Sequence, residues 1–115
     1  MRNIIVFLLV LGILFIVGRM LKKTASPVIT ADMVSHAYIV DVRQPEEFAA
    51  GHFAGAVNVP LGDISGRVSE LKAQKKTIIV YCRSGNRSGQ AKAVLAKYGL
   101  SVLNGMTQKT LESAK

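Results

Sequence analysis

Residues 76–82 read KTIIVYC, and this run constrains the fold more than any other feature of the chain. A half-exposed strand alternates apolar and polar side chains, whereas one apolar at every position needs cover on both faces. Its surroundings supply that cover. AYIVDV (37–42), bounded by Pro45, reads as a second buried strand; AVNV before Pro60 and SVLN (101–104) read as further strands, and VIT (28–30) as a possible short one. Helical stretches alternate with them. ADMVSHA follows Thr30 as its cap, with Asp32 in the first turn, and PEEFAAG carries the proline and glycine punctuation of a short helix. LGDISGRVSEL is a helix weakened by Gly66; SGQAKAVLAK (88–97) puts Ala91, Val94, Leu95 and Tyr98 along one face before Gly99; TQKTLESA closes the series. The pattern predicts an α/β domain over residues 28–115 with a mainly parallel central sheet flanked by helices.

The first 23 residues cannot join such a core. From Ile4 to Gly18 there is no charged or polar side chain, and with Met20 and Leu21 the apolar stretch covers residues 4–21, broken only by Arg19. At the helical rise that is roughly 27 Å, near the ~30 Å hydrocarbon thickness of a bilayer. Arg19, Lys22 and Lys23 occupy the place where a secretory cleavage site would lie, so the expectation is a retained transmembrane anchor over 1–23 rather than a removed signal. Residues 24–27 form a linker, in which Pro27 discourages a continuous helix. Three basic residues after the apolar stretch, against Arg2 before it, favour a single-pass membrane protein with the domain on the cytoplasmic side; the α-amino group narrows that margin, and the exported or periplasmic side is the alternative.

The chain carries +8, but four of its 15 basic residues lie in positions 1–23 with none of the seven acidic ones. Beyond them stand eleven basic against seven acidic side chains, a net of +4. No basic stripe interleaved with aromatics and no groove-reading motif is present, so no nucleic acid is implied. Lys72, Lys75 and Lys76 read as a solvated basic face, consistent also with a small anionic substrate or a lipid surface.

Cys82 is the single cysteine and lies at the carboxyl end of the strongest strand, where ligands bind in open parallel sheets. One thiol cannot make an internal disulfide or a multi-thiolate metal site, so it is either buried filler or a reactive group. The loop CRSGNR then enters a helix near Ser88. Gly85 permits a backbone turn with positive φ, successive amides can face inward as an anion nest, and the helix start adds partial positive charge. With Arg83 and Arg87 alongside, these features favour thiolate over thiol.

Here the sequence resembles a family. YCRSGNRS is similar to the active-site loop of rhodanese-domain sulfurtransferases, C-x4-R with an internal glycine, and DVRQPEEFAAGHFAGAVNVP is similar to their upstream signature. The resemblance runs from about Val28 to Asn104. It implies a single rhodanese fold in which Cys82 takes sulfane sulfur from a small anionic donor such as thiosulfate and passes it, as a persulfide, to a thiol or cyanide acceptor. It also implies that the loop Arg83, Ser84, Gly85, Asn86, Arg87 and Ser88 cradles the sulfur, with Arg87 closing the loop, and it implies no metal and no organic cofactor. Asp41 and Arg43 fall on the family's DVR as structural support: Asp41 would accept from the loop amides or Arg87, and Arg43 would pair with Glu46 or Glu47. His52 is expected to serve a structural turn and His36 to be a surface residue. The match departs at LNGMTQKTLE, which has one glycine, Gly105, where a pair is common, and lacks the tryptophan that often follows. That departure falls on the pocket wall formed by the last loop and helix.

Two rival functions stand beside this one. Cysteine phosphatases also hold an anion over a thiolate, but with five residues between cysteine and arginine, against four here, and no aspartate stands out as the general acid they need. The second is a non-catalytic, membrane-tethered sulfur carrier or interaction module with an envelope protein partner, suggested by the expected anchor.

Overall fold

The structure is a computed structural model that describes the backbone of residues 2–22 and 28–114, and the side chains of residues 3–14 and 28–114. Helix α1 (Arg2–Lys22) is followed by α2 (Ala31–His36), β1 (Tyr38–Asp41), α3 (Pro45–Ala50), β2 (Val57–Asn58), a 3-10 segment (Leu61–Arg67), α4 (Val68–Ala73), β3 (Ile78–Cys82), α5 (Asn86–Lys97), β4 (Val102–Thr107) and α6 (Gln108–Ala114). The four strands form one sheet in the order β2-β1-β3-β4, with every neighbouring pair parallel. The chain therefore has the α/β architecture expected, and β3 lies inside the sheet with all five residues buried.

Strand parity divides the core. Ile78, Val80 and Cys82 point to one face, where Val40, Val42, Ile64, Leu71, Ala91 and Leu95 pack, so this side is covered by the 3-10 segment, α4 and α5. Ile39, Ile79 and Tyr81 point to the other, against Val34 of α2, Phe53, and Leu111 of α6. Each fully buried Val, Ile or Leu contributes about 1.5–3 kcal/mol, which favours a register holding every strand side chain under cover.

Local signals behave as their chemistry dictates. Thr30 caps α2, its Oγ1 accepting from Met33 N–H at 3.2 Å. Gln44 opens α3 as a capping box with Glu47, ahead of Pro45. Gly99, at φ +81, ends α5. Residues 28–30 form no strand: Thr30 is committed to the cap, and Val28 is 78% exposed. Residues 61–71 are not one helix, because the 3-10 segment gives way to α4 at Arg67, whose φ of −113° and ψ of 11° interrupt the helical path. Helix α5 starts two residues before Ser88, since Gly85 already turns the chain. On α5, Ala91 and Leu95 are buried and Val94 packs on the core, but Tyr98 lies half-exposed at the end.

Helix α1 differs from the expected anchor. Its apolar side chains from Ile4 to Leu14 are exposed, Phe7 at 63% and Leu8 at 62%. Among the described residues, no helix is long and apolar enough to cross a membrane. The side chains of residues 15–22 and the whole of the 24–27 linker lie outside the described residues.

Candidate functional site

The carboxyl ends of the strands converge on Cys82. Because β3 delivers Cys82 to the face that α5 covers, its sulfur lies beneath the first turn of that helix, 1% exposed. Gly85, with φ +95 and ψ −10, makes the left-handed turn that brings the loop back over the sulfur and immediately precedes α5. Three groups then converge on Sγ. Gly85 N–H donates at 3.0 Å, Ser88 N–H donates at 3.4 Å, and Ser88 Oγ lies at 3.3 Å. Burial alone would push the thiol up, but hydrogen bonding from the Ser88 hydroxyl and from the amides of Ser88, Ser84 and Gly85 outweighs it, and Cys82 titrates below its ordinary value. The arrangement stabilises a sulfur anion, whether a thiolate or the outer atom of a short sulfur chain.

The sequence-expected residues separate into two groups. Cys82, Gly85 and Ser88 meet directly, and Arg83, Ser84 and Asn86 form the exposed outer side of the same loop. Arg87 is oriented by α3 instead of by Asp41. Its Nη1 donates to Glu47 Oε1 at 2.6 Å and its Nη2 to Oε2 at 2.9 Å, a bidentate pair closing α5 onto α3. The guanidinium, followed by the Gln44 amide, holds the Glu47 carboxyl at about 2, well below its usual range, and Glu47 raises Arg87 in return.

Asp41 does not reach the loop amides. It is fully buried at the end of β1 and is gripped by Arg43, whose Nε lies 3.0 Å from each carboxylate oxygen and whose Nη2 lies 2.6 Å from Oδ2. The Arg43 amide adds a bond at 2.9 Å, and Nη2 also donates to the Gly51 carbonyl at 2.7 Å. Arg43 thus pairs with Asp41, not with Glu46 or Glu47, because only Val42 separates it from a carboxylate that burial leaves without water. The Arg43 guanidinium lies 5.6 Å from the centre of the Tyr81 ring, next to Cys82 in the chain. Tyr81 accepts from Phe53 N–H at 2.9 Å, and burial, joined by the Asp41 carboxylate and opposed by that amide, pushes its hydroxyl up to about 12. This assembly braces the strand that carries the cysteine.

His52 stacks on Phe48 at 3.6 Å between ring centres, and its Nδ1 is 2.9 Å from the Phe48 carbonyl oxygen. His36 is exposed but has partners on its own helix, Ser35 Oγ and the Asp32 carbonyl. Among the described residues, no group of three or more His, Cys, Asp or Glu side chains is arranged to hold a metal ion.

Two residues at this end of the sheet were not singled out by the motifs. Asn104, on β4 beside Val80, accepts from Ser88 Oγ at 2.7 Å and donates to the Gly85 carbonyl at 3.2 Å, linking the loop to the next strand. Met106 adopts φ +67, and a Cβ placed on Gly85 would lie 2.5 Å from its Cε. The register between β3 and β4 shifts here: Val80 pairs with Asn104 and Tyr81 with Met106, which leaves Gly105 as the extra residue of a bulge. The single glycine, Gly105, where a pair is common was the only sequence signal near either residue.

Comparison with known proteins converges on one family. Residues 24–109 match the family described as Rhodanese-like domain. The chain is 41% identical over 61 residues to thiosulfate sulfurtransferase PspE of Escherichia coli, covering 52% of this chain and 59% of that protein. It is 42% identical over 67 residues to a sulfurtransferase of Allochromatium vinosum, covering 57% of this chain and 62% of the relative. Neither match reaches two thirds of the relative's length. Among solved structures, a rhodanese with anions from E. coli superposes with a TM-score of 0.60 at 37% identity, covering 64% of this chain and 89% of that one.

Proposed function

This chain belongs to the rhodanese-like domain family, and from that premise we propose that it is a sulfurtransferase working through a persulfide on Cys82. The observation that carries the reading is the convergence of the Gly85 and Ser88 amides and the Ser88 hydroxyl on one buried sulfur whose pKa is lowered. The Cys82 thiolate attacks the outer sulfur of thiosulfate or of a persulfide donor. The donor's S–S bond breaks, the leaving group departs with the bonding pair as sulfite or a thiolate, and Cys82 carries a disulfanide anion. A thiol or cyanide then attacks that outer sulfur and returns Cys82 to thiolate. The amides of Ser84, Gly85 and Ser88 face the sulfur and stabilise the charge as it moves outward by one atom. Arg83, exposed at the mouth, attracts an anionic donor, while Arg87 positions the loop through Glu47.

A membrane setting is part of the proposal. The sequence of residues 4–21 is apolar apart from Arg19, and the described part of α1 exposes Ile, Leu, Val and Phe side chains to solvent. Such a surface favours lipid contact, and the basic residues that follow favour the cytoplasmic side for the domain. The same exposed helix favours a second reading, in which the domain is a tethered sulfur carrier serving an envelope protein partner.

The test is intact-mass measurement after thiosulfate treatment. Uptake of one sulfur atom on Cys82, with thiocyanate formed on adding cyanide, is expected, and Cys82→Ser loses both. Phosphate release from an aryl phosphate without sulfur uptake would replace this reading with the phosphatase one, and uptake without turnover would favour the carrier.

A further inference from the structure

The side-chain amide of Asn104 is fixed by two backbone groups whose roles cannot be exchanged. Its Nδ2 donates to the Gly85 carbonyl at 3.2 Å, and its Oδ1 accepts from Met106 N–H at 2.9 Å. A carbonyl cannot donate and an amide N–H cannot accept, so the orientation of the amide follows. The remaining partner of Oδ1 is Ser88 Oγ at 2.7 Å, and that contact uses the one proton of the Ser88 hydroxyl. The same hydroxyl oxygen lies 3.3 Å from Cys82 Sγ. With its proton given to Asn104, Ser88 can only accept from the thiol. Once Cys82 ionises, two acceptors face each other across that distance unless the hydroxyl turns.

Turning leaves no polar group without a partner, although Ser88 Oγ and Asn104 Oδ1, 2.7 Å apart, then face each other as acceptors and must draw apart. Asn104 Oδ1 keeps the Met106 amide, which Met106 presents from a left-handed conformation, φ +67, that residues other than glycine seldom adopt. Ser88 is fully buried, so no water competes for its proton.

We propose that Ser88 and Asn104 form a two-position proton switch for Cys82: the hydroxyl proton points to Asn104 while the sulfur is a thiol and turns to the sulfur when it becomes an anion. The thiol proton leaves to solvent, and no bond between heavier atoms changes. Asn104 is a positioning residue that acts on the sulfur through Ser88. The direction of the Cys82 titration agrees with a hydroxyl able to donate to the anion. The charged groups around the site are Arg83 on the loop, Arg87 of α5 paired with Glu47 of α3, and Arg43 paired with Asp41 at the end of β1; Thr107 of β4, opposite Cys82, is uncharged. Among the described residues, none of these groups hydrogen-bonds to Ser88 or Asn104, so the switch is separable from them.

The inference rests on Cys82 being the working nucleophile, but its readout is the thiol titration itself. The rate of alkylation by iodoacetamide is measured against pH for the full chain in mild detergent, with Ser88→Ala, Asn104→Ala and the double variant alongside. Ser88→Ala loses a donor to the anion and raises the thiol pKa by about one unit, a tenfold loss of thiolate. Asn104→Ala removes the competing acceptor and lowers it. The double variant titrates like Ser88→Ala alone. An Asn104→Ala pKa raised equally in both backgrounds would make Asn104 a loop anchor only, and an unchanged Ser88→Ala would remove the switch; either result overturns the proposal. If Asn104→Ala does not fold, Asn104→Ser, too short to reach Ser88, carries the same expectation. Sulfur uptake is followed by mass on the same samples. The titration pattern without uptake would sink the transferase reading and leave the switch standing, and uptake with the wrong pattern would do the reverse.

Discussion

Gly85→Ala puts a methyl group where the structure leaves no comfortable place for one, and its cost can be worked out in two parts. Gly85 has φ +95, and an L-residue held there loses about 1 kcal/mol relative to glycine. The new Cβ would lie 2.5 Å from Met106 Cε and 2.8 Å from Sδ. Those atoms end a flexible side chain that is 44% exposed, so Met106 can swing outward for about 0.5–1 kcal/mol of lost packing and rotamer strain. Together the variant is about 2 kcal/mol less stable, and for a domain of this size Tm falls by roughly 10 °C. The loop's alternative is to abandon the left-handed turn. That spares stability but swings the Gly85 N–H away from Cys82 Sγ, now 3.0 Å distant, and raises the thiol pKa. Urea denaturation and the pH dependence of alkylation therefore measure the two escapes from the same substitution. Combining it with Met106→Ala recovers the packing part and leaves the backbone part. A Gly85→Ala protein with both wild-type stability and wild-type titration would refute the reasoning, as would complete rescue by Met106→Ala, which would mean that the backbone conformation costs nothing.

Two further predictions concern the surroundings of the loop. The Glu47 carboxyl is lowered from 4.5 to about 2 by Arg87, so the stabilisation their pair contributes is fully present above pH 4.5 and is lost as pH falls through about 2. Thermal melts of Glu47→Gln from neutral pH down to about 2 are expected to fall less steeply over that window than those of the native chain, and parallel curves would count against the pair. At the other end of the molecule, the full chain is expected to float with lipid vesicles while a chain lacking residues 1–23 stays behind; equal flotation would assign lipid contact to the domain.

How far the sequence reached is clearest at particular residues. The run at 78–82 required cover on both faces, and β3 is buried throughout; Thr30, the Pro45 helix start and the Gly99 stop act through local backbone chemistry that needs no partner from elsewhere in the chain. Cys82, Gly85 and Ser88 were legible for the same reason, since strand, turn and helix start lie within a few residues of one another. What stayed hidden involves pairing at a distance. Arg43 had acidic neighbours at 41, 46 and 47, and only the burial of Asp41 decided the competition, which left Glu47 for an arginine forty residues away. The 61–71 helix broke where tertiary packing overrode a weak propensity.

The sequence by itself determined that a covered parallel sheet carries one thiol into a glycine turn at a helix start, because those facts follow from side-chain periodicity and from backbone conformations that adjacent residues allow. Tertiary structure alone decided which groups surround that turn. A bulge between two strands fixes the side on which Asn104 and Met106 meet the loop, and such registers are set by the packing of the whole sheet, which no local stretch of residues encodes.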